Sequence, residues 1–216
     1  MLTLFAVITG DLIGSTAAGP AALTASMHVI SSTAAQIGFW PGSSDTRFTR
    51  SRGDGWQMVL DRPGLALRAA FVLQARLRSL SDGIPTRISI GVGAAVSLGT
   101  ADLSDASGPA FTASGKGLDQ MATGATLALT CGPGTPFQHA LAALADALMC
   151  GWTPQQAEAT ALALHPANPT LAEMAAKLGI SKQAINYRLA GANLRALRLS
   201  AQDWQSSFDA QLVEGV

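Results

Sequence analysis

The first 130 residues mix two spacings of apolar positions, the alternation expected of strands and the three-to-four spacing expected of helices. Residues 2–9 are short, apolar and β-branched near their end, which predicts a central strand. Residues 21–37 carry helical spacing. Residues 46–52 and 55–60 flank Gly53-Asp54, a hairpin tip, and the alternation of Phe48, Arg50 and Arg52 supports a strand before it. Residues 65–80 predict an amphipathic helix through Leu65, Leu67, Ala70, Val72, Leu73 and Leu77. Residues 86–96, TRISIGVGAAV, predict a strand with Arg87, Ser89, Gly91 and Gly93 on one face. A loop over 98–109, a helix over 110–121 and a strand over 125–130 follow. The order βαββαβ, with a further helix and strand, predicts an α+β protein whose first part is a ferredoxin-like α/β sandwich with an inserted loop.

The pattern then changes. CGPGTP, Cys131 to Pro136, is a run of helix and strand breakers. Beyond it, helical spacing covers 137–150, 154–165, 171–178, 182–197 and 201–212. The expected division is a sheet domain over 1–132 and an all-helical domain over 133–216, with a helix-turn-helix over about 154–197.

The case for that motif is local chemistry. Thr170 and Glu173 have capping-box spacing: the hydroxyl caps the helix and the carboxylate reaches back. The helix LAEMAAKL stops at Gly179, where a left-handed residue costs least. Ile180 plugs the turn and Ser181 caps the next helix. Ala175 is small where two helices meet, and Ile185 and Leu189, one turn apart, point to the core. That leaves Ser181, Lys182, Gln183, Asn186, Tyr187 and Arg188 as candidate DNA contacts, with donors and acceptors suited to base edges and phosphates. LGISKQAINYRL resembles the turn and recognition helix of many bacterial transcription factors, and GWTPQQAEATALAL ahead of it completes what looks like a tri-helical or winged unit.

Charge sharpens this picture. The chain of 216 residues has 14 basic and 14 acidic residues, so nucleic-acid affinity must come from a local patch. Between Asn168 and Ser200 lie Lys177, Lys182, Arg188, Arg195 and Arg198 against Glu173 alone. The two cysteines, Cys131 and Cys150, form no CxxC or ligand cluster and suit reduced thiols in a cytoplasmic protein. The apolar N-terminus stops at Gly10-Asp11, short of a membrane span, and no 18-residue apolar run appears elsewhere. His28, His139 and His165 are scattered without metal-ligand spacing. Trp56 is expected to bury beside the hairpin.

Two motifs in the sheet domain carry candidate chemistry. GDLIGST, Gly10 to Thr16, closes a strand and opens a loop, and RSRGDGWQMV, Arg50 to Val59, puts a carboxylate on a hairpin tip. Asp11 alone also serves as a turn cap, and Gly-Asp at a hairpin tip is ordinary turn chemistry. Side by side in a ferredoxin-like sheet, however, Asp11 and Asp54 suit Mg²⁺ or Mn²⁺ bound to triphosphate oxygens.

These residues resemble class III nucleotidyl cyclases, whose first strand ends in Asp-Leu/Ile-x-x-Ser/Thr and whose hairpin carries Gly-Asp. TRISIGVGAAV is similar to the following cyclase strand, and DASGPAFTASGKGL, Asp105 to Leu118, to the segment carrying base and transition-state contacts. The GPAF ending and the appended helices resemble the SatD-like branch more closely still. The resemblance implies metal ligands at Asp11 and Asp54, a purine-reading pair at Arg50 and Asp105, and dimerisation. It also implies a departure: Thr112 stands where cyclases place a ribose-orienting Asn, and Lys116 where they place an Arg that stabilises phosphate charge. Losing one such contact commonly costs about 10²–10³ in rate. The sequence therefore points to a DNA-binding transcriptional regulator, a homodimer whose degenerate cyclase-like domain binds a purine nucleotide or related ligand. The alternatives are an active cyclase and an interaction module that does neither.

Overall fold

The computed structural model of the protein describes residues 3–43, 45–51, 53–131 and 135–213. Arg52 and the expected boundary at 132/133 lie outside the described residues. The elements run β1 (Leu4–Leu12), α1 (Ser15–Gly38), β2 (Arg47–Arg50), β3 (Gly55–Leu60), α2 (Ala66–Arg78), β4 (Thr86–Ala94), α3 (Pro109–Asp119), β5 (Leu127–Cys131), α4 (Pro136–Cys150), α5 (Pro154–Ala163), α6 (Leu171–Leu178), α7 (Lys182–Gly191) and α8 (Leu194–Val213). The protein is α+β: a five-stranded mixed sheet with helices, followed by a helical region.

The sheet order is β2-β3-β1-β4-β5. β1 is central and antiparallel to both β3 and β4, and β5 adds parallel to β4. One face carries Ala6, Ile8, Trp56, Met58, Ile88, Ile90, Leu127 and Leu129 into the main core with α1 and α2. The other face packs Val7 and Val59 against Leu103 and Ala110. There α3 runs so close to β4 that a Cβ on Gly91 would lie within the backbone of Ser114, so this glycine serves close approach. Gly10 likewise leaves room for the Trp56 indole, which is buried, donates to Thr86 Oγ1 at 3.1 Å and stacks on Phe48.

Three elements differ from the sequence expectation. β1 continues through Asp11 to Leu12, because both neighbouring strands pair with it that far. α1 begins at Ser15 and is kinked at Gly19 (φ 84°), where Pro20 starts a second segment close to the expected 21–37 helix. The helix expected over 182–197 breaks: Asn193 is left-handed (φ 55°), and the Ala192 carbonyl freed there accepts the Trp152 indole N–H at 3.0 Å. α8 then takes in the segment expected as a separate helix over 201–212.

The spacing of α2 predicts an amphipathic helix, yet eleven of its thirteen residues are buried. One side packs on the sheet core and the other on α5, whose buried positions are mostly alanine. Its polar residues survive burial by bonding: Gln74 Nε2 donates to Thr86 O at 2.9 Å, and Arg68 Nη1 donates to Leu164 O at 3.2 Å. Arg198 of α8 donates to the adjacent Ala163 O at 2.6 Å. Two guanidinium groups thus meet the carbonyl end of α5, where helix polarity favours cations. Burial pushes the Arg68 guanidinium pKa down, and the Arg198 charge adds to the effect. α8 returns to the sheet half, with Trp204 Nε1 donating to Pro63 O at 2.9 Å and Arg62 pairing with Asp209 at 3.1 Å.

Arg68→Ala should lower stability by about 2 kcal/mol, the scale of a charge-assisted hydrogen bond to a buried carbonyl. Urea denaturation measures it. Hydrogen exchange in the same variant should accelerate in α5 as well as in α2; unchanged α5 exchange would show that Arg68 does not tie the two halves.

Candidate functional site

The helical region builds one surface from its caps upward. Thr170 Oγ1 accepts from Glu173 N at 3.2 Å and Glu173 Oε2 accepts from Thr170 N at 2.7 Å, so the expected capping box is present. These bonds, the Thr170 backbone N–H first, hold the Glu173 carboxyl below its usual pKa. α6 ends at Gly179 (φ 65°), and Ile180 N bonds back to Ala175 O at 3.1 Å. Ser181 Oγ accepts from Ala184 N at 3.1 Å and starts α7, so its hydroxyl is used as the cap. Ile185 and Leu189 are buried with Met174 and Ala175, as their spacing predicts.

With that edge buried, α7 exposes Lys182, Gln183, Asn186 and Tyr187. Gln183 Nε2 lies 3.4 Å from Tyr187 Oη, which is 67% exposed. Two expected members of the basic surface turn elsewhere. Arg188 pairs with Glu158 of α5 at 3.0 Å, and Arg198 caps α5 internally. Lys177, Lys182 and Arg195 remain exposed. Nothing local in the sequence shows that these two guanidiniums turn inward, because their partners lie 30 and 35 residues away.

At the sheet, the hairpin brings Asp54 beside Asp11. Asp11 registers opposite Gly55, and Leu12 N donates to Asp54 O at 3.3 Å. The same register puts Arg87 opposite Asp11 on β4. Arg87 Nε donates to Asp11 Oδ1 at 2.8 Å, and its Nη2 binds Oδ2, a two-pronged pair. Ser15 Oγ donates to Asp54 Oδ2. Arg87 has its pKa raised, by the Asp11 hydrogen bond first and by the charges of Asp11, Asp119 and Asp54 in addition. The Asp11–Arg87 pair depends on the β1–β4 register, which local sequence does not show.

The two carboxylates have the hard-oxygen chemistry of an Mg²⁺ or Mn²⁺ site, but as arranged they do not fit one. Both Asp11 oxygens face a guanidinium that already supplies the positive charge, and Asp54 is engaged by Ser15. Among the described residues no group of three His, Cys, Asp or Glu is placed to hold a metal.

The other expected site residues make no side-chain hydrogen bond or ion pair with one another. Arg50 donates to Gly53 O at 3.1 Å within its own hairpin. Asp105 accepts from Thr100 N at 3.1 Å and Thr100 Oγ1 at 2.9 Å, bonds that lower its pKa, and it forms no ion pair with Arg50. Its loop does lie against β2, where Leu103 N donates to Thr49 Oγ1 at 2.9 Å. Thr112 and Lys116 are exposed, one turn apart on α3. Two bonds that no sequence pattern predicts centre on Thr9: Thr9–Ser114 (2.8 Å) joins β1 to α3, and Gln57 Nε2 donates to Thr9 Oγ1 (3.1 Å) across the β3–β1 pair. Cys131 is a free thiol, pushed up to about 12 by burial. No helix among the described residues is long and apolar enough to cross a membrane.

Titration with Mn²⁺, followed by loss of the free-ion paramagnetic resonance signal, should show no stoichiometric site. A single equivalent that disappears in Asp54→Asn would overturn that reading. No protein-family model matches the chain, and no curated protein matches it.

Proposed function

We propose that the protein is a DNA-binding regulator in which α6, the Gly179 turn and α7 form a helix-turn-helix and α7 enters the major groove. The observation that carries the reading is the two-sided character of α7. Ile185 and Leu189 are buried against the neighbouring helices, while Lys182, Gln183, Asn186 and Tyr187 face solvent. Gln and Asn side chains match the donor–acceptor edge of adenine, and Lys182 on the first turn suits phosphate or guanine. Arg188 contributes through Glu158, by fixing α7 on α5.

The sheet half supports the rest of the proposal. Its β2-β3-β1-β4 order, with α1 and α2 on one face, is the order a ferredoxin-like unit requires. A cyclase-like domain that has lost its catalysis agrees with Thr112, Lys116 and an Asp11 already paired to Arg87. In this reading the sheet half is a dimerising carrier for a nucleotide or related ligand, and the two copies of α7 read two half-sites. The Asp11–Arg87 pair weighs against active cyclisation.

The test is Lys182→Glu combined with Asn186→Ala, on a duplex covering the promoter of the protein's own gene. Both side chains are exposed, so the circular dichroism spectrum should not change. Affinity should fall at least about tenfold, since one good base-edge pair alone contributes about 1–3 kcal/mol. Unchanged affinity would show that α7 is not the interface. Arg188→Glu is the wrong variant, because it would set two carboxylates against each other at Glu158.

A further inference from the structure

Between the sheet half and the helix-turn-helix lies a cleft of about 450 Å³. Its lining comes from α1, α2, α5 and α6 and from the segments that follow α1 and α5, and includes Phe39, Arg76, Leu162, His165, Met174 and Lys177. The volume is within the range of about 300–1,000 Å³ usual for small-molecule sites, which favour such junctions.

Its cations, Arg76 and Lys177, outnumber its acid, Glu173. The Arg76 side chain makes no hydrogen bond or ion pair to any described residue, and its Nε is buried without a partner. A guanidinium has five donors, and leaving them unbonded in a half-buried place is costly. Burial works against the Arg76 charge, and Glu158 offsets only part of that from beyond ion-pair range, being paired with Arg188. Lys177 has no ion pair among the described residues. The acid in the cleft, Glu173, is committed to the Thr170 cap. His165 Nδ1 accepts from Ala167 N at 3.1 Å, which fixes the proton of the neutral ring on Nε2 and leaves Nε2–H as a donor. Phe39, 89% exposed, and the buried Met174 and Leu162 supply apolar surface.

The geometry points to a binding site for a small amphipathic anion, an apolar or aromatic body bearing a carboxylate or phosphate, its charge held by Arg76 and Lys177. Lys177 and Met174 belong to α6, so an occupant touches the first helix of the proposed helix-turn-helix directly. On the DNA-binding reading, it would therefore be the regulatory ligand. A ligand shifts DNA affinity only as far as it prefers one placement of α6 over another.

The probe is 1-anilinonaphthalene-8-sulfonate, an aromatic sulfonate whose fluorescence rises in apolar surroundings. The intact protein should bind one equivalent. Arg76→Gln with Lys177→Gln should weaken binding at least tenfold, whereas the uncharged N-phenyl-1-naphthylamine should bind the two proteins alike. Phe137→Ser is the control, since Phe137 lines a separate apolar cleft with Leu4, Trp204 and Phe208. It should leave probe affinity unchanged. Equal affinity in the double variant, or loss in Phe137→Ser, would overturn the assignment. Promoter affinity measured with saturating probe then tests the coupling separately: a several-fold change that vanishes in the double variant supports it. Probe binding as expected with no DNA binding under any condition would refute the regulatory role and the helix-turn-helix reading, but leave the anion site standing.

Discussion

The packing of α2 between the sheet and α5 is the contact on which the rest of the molecule depends. An Ala-rich helix can be covered on both sides, because small side chains let neighbours approach without voids. α2 accordingly buries Ala66, Ala69, Ala70 and Ala75 along with Leu67, Phe71 and Leu73. The α5 side is closed by charge as well as by packing: Arg68 and Arg198 deliver two cations to the orphan carbonyls at Ala163 and Leu164. One hydrophobic cluster therefore runs from β1 through α2 and α5 to Ile185, Leu189 and Trp204. The helix that faces solvent as α7 is held by the same core that folds the sheet.

Signals that act over a few residues were legible in the sequence. The Thr170–Glu173 box, the left-handed Gly179, the Ser181 cap and the inward Ile185 and Leu189 all rest on neighbours within one or two helical turns. The strands and their order along the chain were legible for the same reason. What stayed hidden depends on distant partners. Asp11 meets Arg87 only because β1 and β4 pair in one register. Arg188 and Arg198 look like phosphate contacts in the sequence and turn inward because α5 offers a carboxylate to one and a carbonyl to the other. The break between α7 and α8 has a local element, Asn193, but the bond that satisfies it comes from Trp152.

The two ends of the protein differ in how their polar groups are spent. At the carboxylate end of the sheet they are paired with one another, Asp11 with Arg87 and Asp54 with Ser15. On α7 and in the cleft beneath α6 they are unpaired: Lys182, Asn186 and Lys177 face solvent, and the Arg76 side chain is half-buried without a hydrogen bond to any described residue. Unspent donors beside a rigid core are what a recognition surface requires, and here they gather on α6, α7 and the α2 face beneath them.

The most direct test of this account is the salt dependence of DNA binding by the unmodified protein. Lys182 on α7 and Arg195 on α8 are exposed cations outside the cleft, so log K should fall linearly with log salt with a slope of about −2 per protomer. Tight binding that is lost along such a slope is the predicted result. No retention of duplex DNA even at low salt, or binding indifferent to salt, would contradict it.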